Sequence, residues 1–359
     1  HLFPALALAR VLRARGQQVI LFSDERARGY DHDMPVDEVF IIPAASVSGR
    51  SPLKILSALF TLVRGAIRAW RLMGELRPCA MVGFGGYPTL PPLYGARFRG
   101  IPVLVHEANA VMGRANRLAA GFARAVAGSF ERMKYLPSRA KTNYVLTGMP
   151  VRDAVLEQRE RSYHAPEIHE PFCLLVFGGS QGARAFSDII PEAIKALDGA
   201  EKERLRIVQQ CRPEDLERVR KVYEEAGVEA VLDSFFTDMP EQIATAHLVI
   251  SRAGASTVSE IACIGRPAIL VPFPHSIDQD QRTNARELEK TGGGWVWEEK
   301  NLTPEALAHR LTELMNSPRA LEEAAARART TAKPDAAERL ADLVETYALR
   351  GEDTDEDAA

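Results

Sequence analysis

Short runs centred on apolar residues alternate with longer segments of helical periodicity along most of this chain. Runs of four or five residues fit strands of a parallel sheet, and the segments between them are long enough for helices. The alternation predicts an α/β protein with parallel sheets. The predicted strands are residues 19–23, 80–83, 103–107, 144–147, 174–177, 206–210, 248–251 and 268–271.

Length and local composition predict how the chain is divided. A chain of 359 residues, 46% of them apolar, is more typical of two domains than of one. Pro and Gly cluster in "LTGMPVRD" (146–153) before a polar stretch, so we place the boundary after residue 150. Residues 351–359 are acidic and lack branched apolar side chains, and we expect them to form a disordered tail.

Composition excludes several classes of protein. The formal net charge is −3 and Lys and Arg form no block, which argues against a nucleic-acid partner. The four cysteines form no C-x-x-C pair, so they suggest neither a disulfide framework nor a zinc site, and a reducing cytosol fits best. No apolar run reaches the roughly 18 residues needed to span a bilayer. Because a helical pattern begins at His1, we expect more chain upstream in the natural protein.

A turn of very small residues follows the predicted strand 248–251, in "LVISRAGASTVSE" (248–260). Small side chains at the carboxyl end of a parallel strand leave space where α/β proteins bind ligands. Glu260, early in the next helix, can accept hydrogen bonds from ribose hydroxyls. The acid of a dinucleotide fold comes about 20 residues after its glycines, whereas Glu260 follows Gly254 by six. This spacing favours a nucleotide-sugar site; a Glu that only stabilises the positive end of its helix is the alternative.

Two further glycine turns follow predicted strands. "LLVFGGSQGARAF" (174–186) passes through residues 178–182 into a helix, and "VGFGGYPTL" (82–90) is similar. Glycines let the backbone approach a ligand, and the following helix N-terminus attracts a phosphate. Neither turn matches the Walker pattern or G-x-G-x-x-G. A tight turn without a ligand remains the alternative reading for both.

These motifs together resemble the MurG family of peptidoglycan glycosyltransferases. The resemblance covers nearly the whole chain except the tail and rests on "HLFPALALA", "GFGGYP", "IPVLVHEANAVMGRAN", "GMPVR", "FGGSQGAR", "RAGASTVSEIACIGRPAILVPFP" and "DQDQRTNA". It implies a GT-B fold, with two Rossmann-like domains facing each other across a cleft. The first domain, over residues 1–150, would face the acceptor and the membrane. The second, over 151–332, would bind UDP-GlcNAc, and a helix over 333–350 would return to the first domain.

The resemblance also implies the reaction, the partners and the location. The family moves GlcNAc from UDP-GlcNAc to the C4 hydroxyl of MurNAc in lipid I, with inversion, and gives lipid II in peptidoglycan synthesis. The partners would be these two substrates, the anionic inner-membrane surface and other cell-wall synthesis proteins. The location would be the cytoplasmic face of the inner membrane. Two rivals are another UDP-sugar enzyme of this fold, such as an epimerase or a natural-product transferase, and a non-catalytic UDP-GlcNAc-binding subunit.

Site residues transfer to this chain through the matching motifs. Glu260 matches the ribose-binding acid, Phe236 the position whose backbone reads uracil, and Gln281 the glutamine that bonds the sugar. The remaining matched positions, all substrate-binding, are Asn109, Arg152, Ser180, Ala255, Ser256, Thr257, Val258 and Ser259. The same motifs add four further candidates: Glu107, Gly179, Gln181 and Gln279.

His1 is the candidate general base, because the family has a histidine before "FPA"-like residues and imidazole titrates near neutral pH. The resemblance implies that a first strand and a glycine-rich loop precede it. Asp-x-Asp patterns at 31–33, 278–280 and in the tail follow no convincing strand, so we expect no metal ligand and no cofactor.

Residues 51–77 predict a helix at a membrane surface. No acid occurs between Val39 and Gly74, while Arg64, Arg68 and Arg71 lie near apolar residues. Such a helix can lie in the interface, although an ordinary core helix with its arginines in water is the alternative.

Overall fold

The structure of the chain is a computed structural model, and it describes residues 1–25, 34–45, 52–179 and 183–356. The chain divides into two compact units. Unit 1 comprises His1–Arg152 and Lys333–Ala359, and unit 2 comprises Asp153–Ala332. The boundary expected from sequence, after residue 150, lies two residues before this division.

The described residues form strands and helices that mostly alternate along the chain. The strands are β1 (Ile20–Ser23), β2 (Glu38–Ile41), β3 (Met81–Gly83), β4 (Val103–Glu107), β5 (Ala125–Gly128), β6 (Tyr144–Leu146), β7 (Phe172–Phe177), β8 (Leu205–Gln210), β9 (Glu229–Asp233), β10 (Leu248–Ser251), β11 (Ala268–Leu270) and β12 (Gly294–Val296). The helices are α1 (Leu2–Ala14), α2 (Pro52–Leu76), α3 (Leu90–Phe98), α4 (Arg114–Ala119), α5 (Asp153–Arg159), α6 (Arg184–Lys195), α7 (Gly199–Arg204), α8 (Leu216–Ala226), α9 (Met239–Thr245), α10 (Ala255–Ile264), α11 (Asp280–Lys290), α12 (Pro304–Met315), α13 (Pro318–Thr331) and α14 (Ala336–Glu356).

Every strand pairing in the described residues is parallel, which confirms the α/β class with parallel sheets. Unit 1 holds a β1-β2 pair and a four-stranded sheet in the order β3-β4-β5-β6. The sheet of unit 2 has the order β12-β11-β10-β7-β8-β9. This is the strand order of a Rossmann fold, in which the order reverses between the first and fourth strands. Here β7 and β10 are those strands, so the crevice for a ligand opens at their carboxyl ends.

Burial follows the position of each strand in its sheet. All residues of β4 and β10 are buried because helices cover both faces of an inner parallel strand. Strand β9 lies at the edge of its sheet and alternates between exposed and half-buried residues. The main core of unit 2 includes Phe172, Phe186 and Tyr223, which join β7, α6 and α8.

Helix α14 belongs to unit 1 and packs on α1. Leu340 and Val344 share a buried cluster with Leu8 and Leu12. Arg15, just after α1, pairs with three acids on one face of α14: Glu338, Asp342 and Glu345. Helix α14 continues to Glu356, so it runs six residues into the segment expected to be a disordered tail. No proline interrupts residues 336–356, and one glycine there weakens a helix without ending it.

Arg266 is a buried cation at the edge of unit 2 where the strands of its sheet begin. Its side chain is 1% exposed and donates to the carbonyls of Ala244, Ile264, Gly265 and Arg161 at 2.6–3.3 Å. Ala244 and Ile264 lie in the last turns of α9 and α10, where backbone carbonyls have no hydrogen-bond partner within their own helix. Burial lowers the pKa of Arg266 to about 10, so the guanidinium remains charged at neutral pH.

Candidate functional site

The turn between β10 and α10 presents a helix N-terminus at the carboxyl edge of unit 2. Gly254 is the N-cap of α10, and it supplies no side-chain hydrogen bond to the first turn. The first N–H groups of a helix have no partner within the helix and lie at the positive end of its dipole. This end of α10 therefore suits an anion such as a phosphate.

Helix α10 divides the six candidate residues 255–260 between two faces. Ala255 and Val258 are buried, so their side chains pack into unit 2. Ser256 and Glu260 are spaced i, i+4 and share a face. Glu260 is 8% exposed. Val258 and Glu260 are therefore both buried, but they lie on different faces of α10.

Gln281 holds two turns together at this edge. Its Oε1 accepts from Ala253 N (3.3 Å) and from Phe273 N (2.9 Å). Because both partners are N–H donors, the amide orientation is defined and the NH₂ group is directed away from them. Asn284, which is fully buried, donates from Nδ2 to Ala253 O (3.3 Å). Gln281 is thus positioned to donate to an oxygen of a ligand while it stabilises the β10 turn.

The glycine turn after β7 lies beside the β10 turn. Strand β7 pairs with β10 and their last residues, Phe177 and Ser251, are register partners. Gly179 has φ +84°, and a methyl group there would meet no atom of the described residues within 4 Å. Glycine at this position therefore serves the left-handed turn. Ser180 and Gln181 lie outside the described residues.

A third turn leads to Phe236, which is half-buried after β9. The carboxylate of Asp233 accepts from the backbone N–H of Ser234 at 2.6 Å. Gln210 donates from Nε2 to Ser234 O (3.1 Å) and accepts from Gly178 N at 3.3 Å. Gln210 thereby links the glycine turn to the Phe236 turn. This role is not predictable from the sequence, because a glutamine at a strand end carries no local signature.

Gln279 lies in a loop with an unusual backbone. Asp278 and Gln279 both have positive φ, of 52° and 54°, a region that non-glycine residues seldom adopt. Gln279 is exposed, and its Oε1 accepts from Arg282 at 3.4 Å. In the parts of the chain that the structure describes, no group of three or more His, Cys, Asp or Glu residues is arranged to hold a metal ion.

In unit 1, the carboxylate of Glu107 organises the segment that contains Asn109. Its Oε1 accepts from the backbone N and the side-chain Nδ2 of Asn109, at 3.0 and 3.1 Å. Its Oε2 accepts from Gly113 N and from Asn116 Nδ2, both at 2.8 Å. Glu107 is buried, so these four bonds replace its hydration. Glu107 is therefore a support for Asn109.

The neighbouring His106 is fully buried. Its Nε2 lies 3.0 Å from Gly148 O, so Nε2 carries the proton because a carbonyl can only accept. Burial lowers the pKa of His106, and the bond to Gly148 opposes this shift in part. The imidazole is therefore neutral at pH 7 and has a structural role.

His1 lies against the "GFGGYP" loop of unit 1. A methyl group at Gly85 would lie 3.3 Å from His1 Cε1, and one at Gly86 would lie 3.6 Å from Cδ2. Both glycines have positive φ, so glycine serves the turn and makes room for the imidazole. Arg152, at the end of the main part of unit 1, lies 4.8 Å from the ring of Phe3. The candidates thus form two groups, one in each unit.

The topology of unit 2 is that of a Rossmann-type α/β fold, whose ligand crevice lies at the carboxyl ends of β7 and β10. Models of glycosyltransferase family 28 match the chain: the N-terminal domain over residues 1–128 and the C-terminal domain over residues 173–340. The chain belongs to glycosyltransferase family 28 and, within it, to the MurG family.

Relatives of high identity extend over nearly the whole chain. The UDP-N-acetylglucosamine–N-acetylmuramyl-(pentapeptide) pyrophosphoryl-undecaprenol N-acetylglucosamine transferase of Sinorhizobium fredii is 50% identical over 348 residues, covering 97% of this chain and 92% of that protein. The protein of the same name from Paramagnetospirillum magneticum is 48% identical over 344 residues, or 96% and 93% of the two chains. The crystal structure of Acinetobacter baumannii MurG has a TM-score of 0.77 at 31% identity and covers 96% of each chain.

Proposed function

We propose that this protein transfers GlcNAc from UDP-GlcNAc to the C4 hydroxyl of the MurNAc unit of lipid I, giving lipid II. The observation that carries the proposal is the N-terminus of α10, which has no side-chain cap, with Glu260 in the second turn of the same helix. This end suits the diphosphate, and Glu260 suits the ribose hydroxyls. The names of relatives of 48–50% identity supply the sugar and the acceptor.

The reaction is a single displacement at the anomeric carbon. The C4 oxygen of the acceptor forms the new glycosidic bond as the bond to the UDP β-phosphate oxygen breaks, and the configuration inverts. The acceptor proton passes to a base, for which His1 is our candidate. UDP leaves with the bonding electron pair. The N-terminus of α10 and the glycine turn after β7 stabilise the charge that develops on the diphosphate.

The remaining candidates take supporting roles in this proposal. Gln281 donates to a sugar hydroxyl through the NH₂ group that its two backbone contacts leave available. Backbone groups near Phe236 read the uracil, and Ser180 and Gln181 contact the diphosphate. Arg152 contributes to donor binding, and Asn109, held by Glu107, contacts substrate from unit 1.

Replacement of Glu260 tests the donor site. We expect Glu260→Ala to weaken UDP-GlcNAc binding by about 1.5–3 kcal/mol, or about 10- to 150-fold, because it removes charge-assisted hydrogen bonds to ribose. Isothermal calorimetry measures the change. Glu201→Ala is the matched control, since Glu201 is also 8% exposed but belongs to a capping box at α7. Unchanged donor affinity in a folded Glu260→Ala variant would refute the ribose role.

A transfer assay with UDP-GlcNAc and a lipid I analogue separates the proposal from its rivals. Formation of the disaccharide product supports it. A non-catalytic subunit would bind UDP-GlcNAc without turnover, and an epimerase would change the sugar without consuming the acceptor.

We also propose that the protein docks on the cytoplasmic face of the inner membrane through α2. None of the helices in the described ranges is long and apolar enough to cross a membrane. One stripe of α2 is apolar and exposed, at helical spacing of three and four: Leu53, Leu56, Phe60, Val63, Ile67 and Trp70. Arg64, Arg68 and Arg71 are exposed beside this stripe. The opposite side, with Ala69 and Met73, is buried.

The apolar stripe of α2 and the three arginines beside it both suit an anionic lipid surface. Apolar side chains enter the boundary between headgroups and acyl chains, and each nearby cation contributes about 1 kcal/mol. Of the two readings of residues 51–77, this exposure favours the interfacial helix, because a core helix would bury the stripe. Lipid I carries its polyprenyl chain in the bilayer, so its transferase gains from contact with that surface.

Charge reversal on α2 tests this docking. We expect Arg64/Arg68/Arg71→Glu to reduce sedimentation with phosphatidylglycerol vesicles strongly, while binding by the parent falls as salt rises. Arg220/Arg319/Arg327→Glu makes the same change in net charge at exposed positions of unit 2 and should bind as the parent does. Equal sedimentation of the α2 variant and the parent would contradict the proposal.

A further inference from the structure

Arg252 is a buried charged residue at the carboxyl edge of unit 2. It directly follows β10 and is 8% exposed. In the sequence, Arg252 stands out only as part of the small-residue turn. A buried guanidinium must satisfy its donors within the protein, so its contacts show what it organises.

These contacts reach several separate segments around the site. Nη1 donates to Val271 O (3.3 Å) and Pro272 O (3.4 Å), just after β11. Nη2 pairs with the carboxylate of Glu299, which follows β12. The guanidinium carbon also lies 4.9 Å from the ring of Phe186 on α6. Arg252 therefore joins the end of β10 to the ends of β11 and β12 and to α6.

The same turn is also held from α11. Gln281 bonds Ala253 N and Phe273 N, and Asn284 bonds Ala253 O. Phe273 immediately follows Pro272, which Arg252 contacts. Arg252 and Gln281 thus tie the same two turns, one by its guanidinium and the other by its amide. The turn that they hold leads directly into Gly254, the N-cap of α10.

We propose that Arg252 is a positioning residue for the nucleotide-sugar donor. It sets the position of the β10 turn, and hence of the α10 N–H groups that receive the diphosphate. The inference rests on the donor site proposed above. Displacements of about 1 Å at a binding group can change rates about 100-fold, so a loose turn weakens donor binding without touching the acceptor.

Glu299 allows two effects to be separated: the displacement of the β10 turn and the unpaired charge that remains when Arg252 is replaced. It pairs with Arg252, so its loss leaves an unbalanced cation, whereas loss of Arg252 leaves an unbalanced carboxylate. The side chain of Arg252 is 10% exposed and that of Glu299 is 26% exposed. Removal of one member of such a partly buried pair still leaves a poorly solvated charge, whereas replacement of both by apolar residues is often neutral. The double variant Arg252→Met/Glu299→Met therefore removes the bridge without leaving an unpaired charge.

The experiment compares four proteins: the parent, Arg252→Met, the double variant and Arg252→Lys. We expect the Kd for UDP and the KM for UDP-GlcNAc to rise about tenfold or more in Arg252→Met, with the acceptor KM within about twofold. The melting temperature should recover in the double variant, whereas UDP affinity should not. Arg252→Lys should give an intermediate Kd, because one ammonium cannot span the carbonyls and the carboxylate together.

Arg266→Met is the matched control, because Arg266 is also a buried arginine of unit 2 but bonds carbonyls away from the carboxyl edge. It should lower the melting temperature and leave the Kd of the folded protein for UDP unchanged. If Arg252→Met does not fold, the double variant alone decides the question.

Parent-like UDP affinity in the folded double variant would overturn the inference, because the donor site would then not depend on Arg252 to hold the β10 turn in place. The donor site is tested separately in the same titrations. If the parent fails to bind UDP, or Glu260→Ala binds as the parent does, the proposed donor site itself is wrong. If Glu260→Ala weakens UDP binding and the Arg252 variants do not, only the role of Arg252 is wrong.

Discussion

His1→Ala is expected to lower kcat for transfer to a lipid I analogue by about 10²- to 10⁴-fold, the range typical for loss of a general base. The imidazole lies on the Gly85–Gly86 turn of unit 1, whereas the proposed donor site belongs to unit 2. Binding of UDP-GlcNAc should therefore remain near that of the parent. Steady-state kinetics and calorimetry measure the two quantities.

The pH profile adds a readout that is specific to the imidazole. In the parent, kcat/KM should fall as pH drops through the pKa of the base, and this acidic limb should be lost in His1→Ala. His309→Ala is the control, because His309 is an exposed histidine on α12. A His1→Ala enzyme with the kcat and pH profile of the parent would exclude His1 as the base.

Arg266→Met is expected to lower the free energy of unfolding of unit 2 by about 3–5 kcal/mol. Methionine fills much of the volume but leaves the carbonyls of Ala244, Ile264, Gly265 and Arg161 without their donor, and each unsatisfied buried group costs about 1–3 kcal/mol. Urea unfolding in a Trp70→Phe background reports on unit 2, because the other two tryptophans, Trp295 and Trp297, lie there.

Arg204 supplies the control for this measurement. It also donates to two carbonyls, those of Glu167 and Glu170, but it is only half-buried and both hydrogen bonds are exposed. Arg204→Met should therefore cost less than about 1 kcal/mol, because water can replace the lost donor. Equal losses in the two variants would show that burial does not control the effect.

Strands with a strong local pattern were predictable from the sequence. Strands β4 and β10 have the predicted bounds, because runs rich in Val, Leu and Ile lie between turn residues. Strand β7 begins at Phe172, two residues before the prediction. Four strands were missed: β2, β5, β9 and β12. Strand β5 is built from Ala, Val and Gly, and β9 is an edge strand with acids at both ends, so neither has a clear strand signature.

The local sequence was sufficient to predict the local backbone geometry of the candidate site within one turn and one helix. Small residues before α10 and the i, i+4 spacing of Ser256 and Glu260 follow directly from a helix period of 3.6 residues. The left-handed glycine after β7 is equally local. The family also followed from the order of short motifs along the chain, and the match to glycosyltransferase family 28, with the named relatives and the MurG crystal structure, confirms it.

The contacts that hold these parts in place depend on the tertiary structure. Gln281 reaches Ala253 across 28 residues, and Gln210 reaches Gly178 across 32. Arg252 meets Glu299 only because β10, β11 and β12 are neighbours in the sheet. A polar residue at a strand end has the same local pattern whether it faces water or a partner. Strand order decides which of the two occurs, since it brings turns that are distant in the chain to one edge of a sheet.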